Sequence, residues 1–224
     1  MSNDEPTASE PTASGSTASE PTASGSTVLP TAPPPDAHLP QRAEHAPQPG
    51  EIIPSHYRWC FGCGIDHPTG LHMAITAGEG LTVSGIFRVT EHHQGAPGLA
   101  HGGVLSTALD EILGSLNWLL ASPAVTGRLE CDFRRPVPVG VDLVVAAEVA
   151  GVKGRRVYTR AIGRLGAPDG PVAVRAAAIF VQVSLQHFVD NGAAEHVEGA
   201  IRDRAAGGPS WRPDVEAHPF ELNP

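Results

Sequence analysis

Two periods alternate along the middle of this chain. From Leu71 to Ala77 and from Leu81 to Val89 apolar residues recur at every second position. Leu81, Val83, Gly85, Phe87 and Val89 share one face, and Gly78-Glu79-Gly80 separates the two runs. That alternation predicts two strands joined by a turn. After His101-Gly102-Gly103 the period lengthens, and Leu105, Leu109, Ile112, Leu116 and Leu119 fall on one stripe of a helix running to about Leu120, with Pro123 just beyond as a stop. Four extended segments follow, at about 125–135, 141–151, 155–165 and 171–187. In the first, Leu129, Cys131 and Phe133 alternate with Arg128, Glu130, Asp132 and Arg134, the pattern of an antiparallel strand with one wet face. Two strands, one long helix and four strands predict an α+β fold, a single helix laid on an antiparallel sheet of about six strands. One helix cannot cover both faces of such a sheet, and an edge strand stays open. Pairing with a second copy, as a dimer or dimer of dimers, is the expected remedy.

The flanks read differently. Residues 9–18 (SEPTASGSTA) are nearly repeated at 19–28 (SEPTASGSTV), and a proline-bound stretch, PTAPPPDAHLP, follows. Such segments hold too few branched aliphatics to offset chain entropy, so residues 1–50 are expected to be a disordered low-complexity tail. Residues 190–224 show neither period and are expected to be a tail or an arm, with Trp211 and Phe220 available for packing. Residues 51–189 are left as one domain.

The chain carries 24 acidic and 15 basic side chains, a formal charge of -9. Thirteen acids and four arginines lie in the two flanks, leaving eleven acids and eleven bases in residues 51–189. A neutral domain offers no surface for nucleic acid. The apolar stretch Ile112 to Val125 is too short and too polar to span a bilayer, and the opening residues lack the apolar core of a secretory signal. Cys60, Cys63 and Cys131 are too few for a disulfide framework, and a reducing cytoplasm is the expected compartment.

The predicted helix bears a second stripe, Gly103, Thr107, Asp110, Gly114 and Asn117. Small and polar residues leave a groove there, and Asp110 is its ionisable group. Helical geometry alone leaves Asp110 open between a solvated acid and a catalytic one. Glu111 points about 100° away and reads as a surface or salt-bridge acid. His101-Gly102-Gly103 opens the helix, where unpaired N–H groups favour a developing oxyanion, although a tight loop-to-helix turn explains it equally well.

The run His93-Gln94-Gly95-Ala96-Pro97-Gly98-Leu99-Ala100-His101-Gly102-Gly103-Val104-Leu105, followed by Leu109-Asp110-Glu111, resembles the signature of the PaaI-like hotdog-fold acyl-CoA thioesterases. Cys60-Phe61-Gly62-Cys63-Gly64 with Pro68-Thr69-Gly70-Leu71 resembles a leader found in a subset of that family. Thr126 with Phe133-Arg134-Arg135-Pro136 matches its next strand, so the resemblance covers about residues 56–187. It implies a hotdog fold, a long helix wrapped by a curved sheet, paired so that sites lie at the subunit interface. It also implies hydrolysis of an acyl-CoA to a carboxylic acid and coenzyme A, with no cofactor because coenzyme A is part of the substrate. Carried over, Gly102 N–H holds the thioester carbonyl, Asp110 is base or nucleophile, and Thr126, from the partner subunit, orients the water or the acid. At Gly95 some relatives place an Asn or Gln; here His93 or Gln94 is left to compensate, although His93 reads more simply as a satisfied loop histidine. His101 and Gly103 complete the loop against the substrate.

Arg134, Arg135, Arg155 and Arg156 lie near strand ends, where they are readable as coenzyme A phosphate ligands or as solvated edge charges. Cys60-x-x-Cys63 invites a metal with His67 or His72, but no second CxxC or HxxxH supplies the remaining ligands, so no metal is expected. The runner-up function is a non-catalytic acyl-CoA-binding or sensing protein that keeps the pocket.

Overall fold

The apolar stripe of the central helix governs the architecture. The structure, a computed structural model, describes residues 30–205. Helix α1 (Gly102–Ser115) runs on into a 3-10 turn (Leu116–Leu120). Leu109, Ile112, Leu116 and Leu119 are fully buried and Leu105 nearly so. Burial of each such side chain contributes about 1.5–3 kcal/mol. They face Val83 and Phe87 of β2 (Thr82–Arg88), Leu143 and Val145 of β6 (Asp142–Lys153), Val157 of β7 (Arg156–Leu165) and Phe180 of β8 (Val172–Gln182). With β1 (Ala74–Ala77) and β5 (Ala124–Phe133) these make a six-stranded antiparallel sheet in the order β1-β2-β6-β7-β8-β5. The expected α+β arrangement, one long helix on an antiparallel six-stranded sheet, is the observed one. The loop expected between β2 and the helix holds a small hairpin, β3 (Gln94–Ala96) and β4 (Leu99–Ala100).

Two features set the helix against β5. His101 caps α1, its Nδ1 accepting the Gly103 N–H at 2.9 Å. At the far end Ala121 takes a left-handed conformation (φ 48°), which turns the chain back so that β5 runs alongside the helix. The outer edge of β1 is covered by residues 50–53, with Ile53 N–H bonded to Ile75 O and Ala77 N–H to Glu51 O, both at 2.8 Å. Among the described residues no strand covers the outer edge of β5.

Three expectations are corrected. The domain begins earlier than residue 51. His38 pairs with Val152 through bonds of 3.0 and 2.7 Å, and Ala43 N–H reaches Leu119 O at 2.9 Å. Arg42 donates to the carbonyls of Gly80 at 2.9 Å, Pro47 at 2.5 Å and Gly78. Gly151, at a bulge in β6, is the seat of this strap, since a Cβ there would lie 3.1 Å from Ala37 Cβ and 3.2 Å from Pro33 Cβ. The strap is held mainly by hydrogen bonds, from its backbone and from Arg42, and little by apolar burial, which is why composition misses it. The repeats at 9–28 lie outside the described residues. Likewise, the last strand ends at Gln182 and the chain continues as α2 (Leu185–Asn191) and α3 (Ala194–Ala205), where no structure was expected. Trp211 and Phe220 lie outside the described residues. Last, Thr126 meets Asp110 within one chain and not across an interface, because the Ala121 turn brings β5 back beside α1.

Candidate active site

Asp110 sits two turns into α1, and Thr126 Oγ1 donates to its Oδ1 at 2.9 Å. A bulge at Gly127 offsets the β5 register between Thr126 and Arg128 and aims the hydroxyl at the helix. Both residues line a cavity of about 1110 Å³, whose walls include Met73, Ile75, Trp118 and Phe180. Burial raises the Asp110 pKa above the ordinary carboxylate range; the Thr126 hydrogen bond opposes that shift, and negative charge on Cys60 adds to it. Asn117, one stripe position past Gly114, lies in the same wall, and its Oδ1 is buried without a protein partner.

The helix start faces elsewhere. A second cleft, of about 480 Å³, is lined by Gly95, His101, Gly102, Phe133, Arg134 and Arg135 among others. Of the two glycine donors, Gly103 N–H is taken by His101, whereas Gly102 N–H, at the first helical position, has no intrahelical acceptor. Gly102 precedes Asp110 by eight residues, about 12 Å along an α-helix, so one chain cannot bring both to one thioester.

Residues 97–168 match the thioesterase superfamily. The helix and strands around this matched segment have the hotdog arrangement found in that superfamily. The domain is similar to a solved thioesterase superfamily protein, at 28% identity and a TM-score of 0.52, over 62% of this chain and 70% of that one. It is also similar to the acyl-coenzyme A thioesterase THEM4 of Xenopus laevis, at 28% identity over 98 residues, 44% of either chain. THEM4 of Bos taurus is 33% identical over 73 residues, 33% of this chain and 30% of the relative. The chain thus spans less than half the length of these curated relatives. The resemblance read from the sequence is borne out.

Within the hotdog domain the remaining expected residues divide. His93 is a loop histidine, its Nδ1 accepting Thr90 N–H at 3.0 Å and its ring 5.0 Å from that of Phe87. Gln94 closes the hairpin loop, accepting Gly98 N–H at 2.7 Å and donating to Glu91 O at 2.9 Å. Neither stands in for a side chain at position 95, where a Cβ would fall 2.8 Å from His101 Cα. Arg134 pairs with Asp132 at 2.8 Å and Arg135 donates to Val172 O at 2.7 Å, both on the Gly102 side. Arg155 and Arg156 lie at the other end of the sheet. Arg156 is in register with Val181, and Val181 with Val125, next to Thr126. Two strand spacings, about 10 Å, therefore separate the Arg156 backbone from β5.

Sequence reasoning missed His56 and misread Glu111. Glu111 is not a surface acid: its carboxylate lies 3.4 Å from Cys60 Sγ and lines the Asp110 cavity. Cys63 Sγ lies 3.4 Å from His56 Nδ1. Burial, and then the charge of Cys60, push the Glu111 pKa up to about 7. Hydrogen bonding from Cys63 and His56 lowers the Cys60 pKa, and the same pairing with burial raises that of Cys63. His56 is raised, its bond to Cys60 and the nearby negative charge outweighing burial. His67 instead packs edge-on against Phe61, with ring centres 5.0 Å apart. The HxxxC spacing from His56 to Cys60 was the available signal.

Proposed function

We propose that the domain is an acyl-CoA thioesterase whose site is completed by a second copy. Asp110 and Thr126 come from one protomer and the Gly102 N–H from the other. The observation that carries this reading is the Asp110–Thr126 pair in the wall of a large, mainly apolar cavity, about 12 Å along the helix from the unpaired Gly102 donor. A thioester needs an oxyanion donor and a carboxylate or water held in line. The carbonyl oxygen rests on Gly102 N–H. Asp110 either attacks the acyl carbon or takes a proton from the attacking water, with Thr126 holding the carboxylate in place. In the general-base route the water oxygen bonds to the acyl carbon, the C–S bond breaks, and the proton held on Asp110 passes to the departing coenzyme A thiolate. In the nucleophilic route the C–S bond breaks to leave an Asp110 anhydride, which water hydrolyses to the free acid and the carboxylate, the water's proton going to the thiolate.

The open edge of β5 and the exposed ring of Phe133 beside Gly102 support the pairing surface. Antiparallel pairing of two β5 edges brings Arg134 and Arg135 of one copy toward Arg155 and Arg156 of the other, a basic group suited to the phosphates of coenzyme A. The curated relatives' names support the substrate class. No described helix is long and apolar enough to cross a membrane.

One observation favours the second reading, acyl-CoA binding without turnover: Gly95 is closed against His101, so the carbonyl gains no side-chain donor there. Thiol release across short, long and aromatic acyl-CoAs separates the two. Turnover of at least one supports the enzyme, and tight binding of coenzyme A esters with no release supports the binder.

A further inference from the structure

The geometry points to a structural zinc site formed by His56, Cys60, Cys63 and Glu111, which clamps the 56–63 loop onto α1 beside Asp110. One donor atom from each of the four lies within 4.8 Å of all the others. Zinc binds thiolate at about 2.3 Å and imidazole or carboxylate at about 2.0–2.2 Å, which in a tetrahedron sets donor-to-donor edges of about 3.4–3.8 Å. The Cys60–Glu111 and Cys63–His56 pairs, both at 3.4 Å, have the length of such edges.

The loop is shaped for this convergence. Gly64 N–H bonds to Cys60 O at 2.8 Å and closes the turn that brings the two cysteines together. A Cβ on Gly64 would fall 2.4 Å from Arg58 O and 2.5 Å from Cys60 N, so only glycine permits the turn. Gly62 matters for a different reason: a Cβ there would lie 2.1 Å from Glu111 Oε2, and its absence lets the carboxylate enter between the thiols. Backbone bonds from Leu71 N–H to Phe61 O at 2.8 Å and from Met73 N–H to Gly62 O at 3.0 Å tie the loop to the segment leading into β1. The loop thus brings three ligands to one presented by a helix.

The donor set selects the ion. Two thiolates with an imidazole and a carboxylate suit zinc, whereas calcium and magnesium take oxygen ligands. Four protein ligands fill a tetrahedron and leave no open position, which marks a structural site. A Cys60–Cys63 disulfide uses neither His56 nor Glu111 and leaves a half-buried carboxylate uncompensated. Such a clamp fixes one wall of the cavity that Asp110 and Thr126 line. It does not rest on thioesterase activity, because its readout is metal content.

The test uses the full chain, purified under reducing conditions without chelator. About one zinc per chain is expected by elemental analysis, held against a chromogenic chelator. Cys63→Ser and Glu111→Gln each weaken zinc affinity more than about tenfold, whereas Cys131→Ser leaves it unchanged. Where a ligand variant fails to fold, cobalt(II) substitution in the unaltered protein decides. A thiolate-to-cobalt charge-transfer band supports the site, and a spectrum of hydrated cobalt overturns it. Reduced protein with three free thiols that takes up no zinc also overturns it, as does zinc uptake indifferent to all four ligand substitutions.

Discussion

Replacing Asp110 by Asn changes one oxygen for an NH₂ group and keeps the side-chain shape. Thr126 Oγ1 retains an acceptor, since the amide oxygen takes the place of the Oδ1 it now reaches at 2.9 Å. Binding and fold are therefore expected to survive while the charge is lost. General-base removal costs about 10²–10⁴ in rate, or about 3–5 kcal/mol of barrier, and loss of a nucleophile more. Stability moves the other way. The native pKa of Asp110 is raised, chiefly by burial, so the folded state holds the proton more tightly than the unfolded chain does. Below the ordinary carboxylate range both states are protonated and ionisation carries no penalty. The penalty builds as pH rises from that range to the raised native value, and above it stays constant. Asp110→Asn should therefore melt higher than the unaltered protein at neutral pH, with the gap closing in acid. Thiol release from a turned-over acyl-CoA measures the rate, and melting curves at neutral and acid pH measure the linkage. Full activity in Asp110→Asn refutes the carboxylate mechanism; a lower melting point at neutral pH refutes the burial argument.

Gly102→Pro removes the proposed oxyanion donor at the first helical position, where proline is tolerated. His101 (φ -71°, ψ 134°) already has the conformation favoured before proline. Turnover should fall about 10²–10³-fold with an unchanged far-ultraviolet spectrum. Arg155→Ala with Arg156→Ala should raise KM for acyl-CoA about tenfold or more in low salt and leave KM for a short thioester without phosphates unaltered; equal effects on both substrates argue against phosphate binding. Arg42→Ala should lower unfolding free energy by about 1.5–3 kcal/mol in denaturant titration, since a charged donor serves three carbonyls of the strap and the β1–β2 turn. An unchanged midpoint means that the strap is not held by Arg42.

The parts legible in the sequence were those written as periodicity. Leu105 to Leu119 fixed the buried stripe of α1, and alternation along 71–89 and 125–165 fixed the strands, because each depends on one element facing one core. Asp110 stood out for a similar reason, as an acid on a stripe otherwise small or polar. What escaped depends on contacts between distant segments. His56 and Glu111 are 55 residues apart, and only the docking of the 56–63 loop on α1 brings them together. The strap at 30–50 escaped because its contacts are mostly hydrogen bonds, of its backbone and of Arg42, at sheet and helix ends. Helix α2 is only seven residues long and α3 is polar on average, so neither offered the apolar stripe that marked α1. The placing of Thr126 turned on a single left-handed residue, Ala121, that no pattern announces.

The central claim is that one site draws on two protomers, and a heterodimer of two inactive variants tests it most directly. Gly102→Pro and Asp110→Asn subunits, carried on different affinity tags, are co-expressed and the mixed dimer is isolated through both tags. In that dimer one site carries both substitutions and the other carries neither, so the account predicts about half the wild-type rate per dimer although each parent is inactive. A mixed dimer no more active than its parents contradicts it, because a site built within one chain leaves no intact copy.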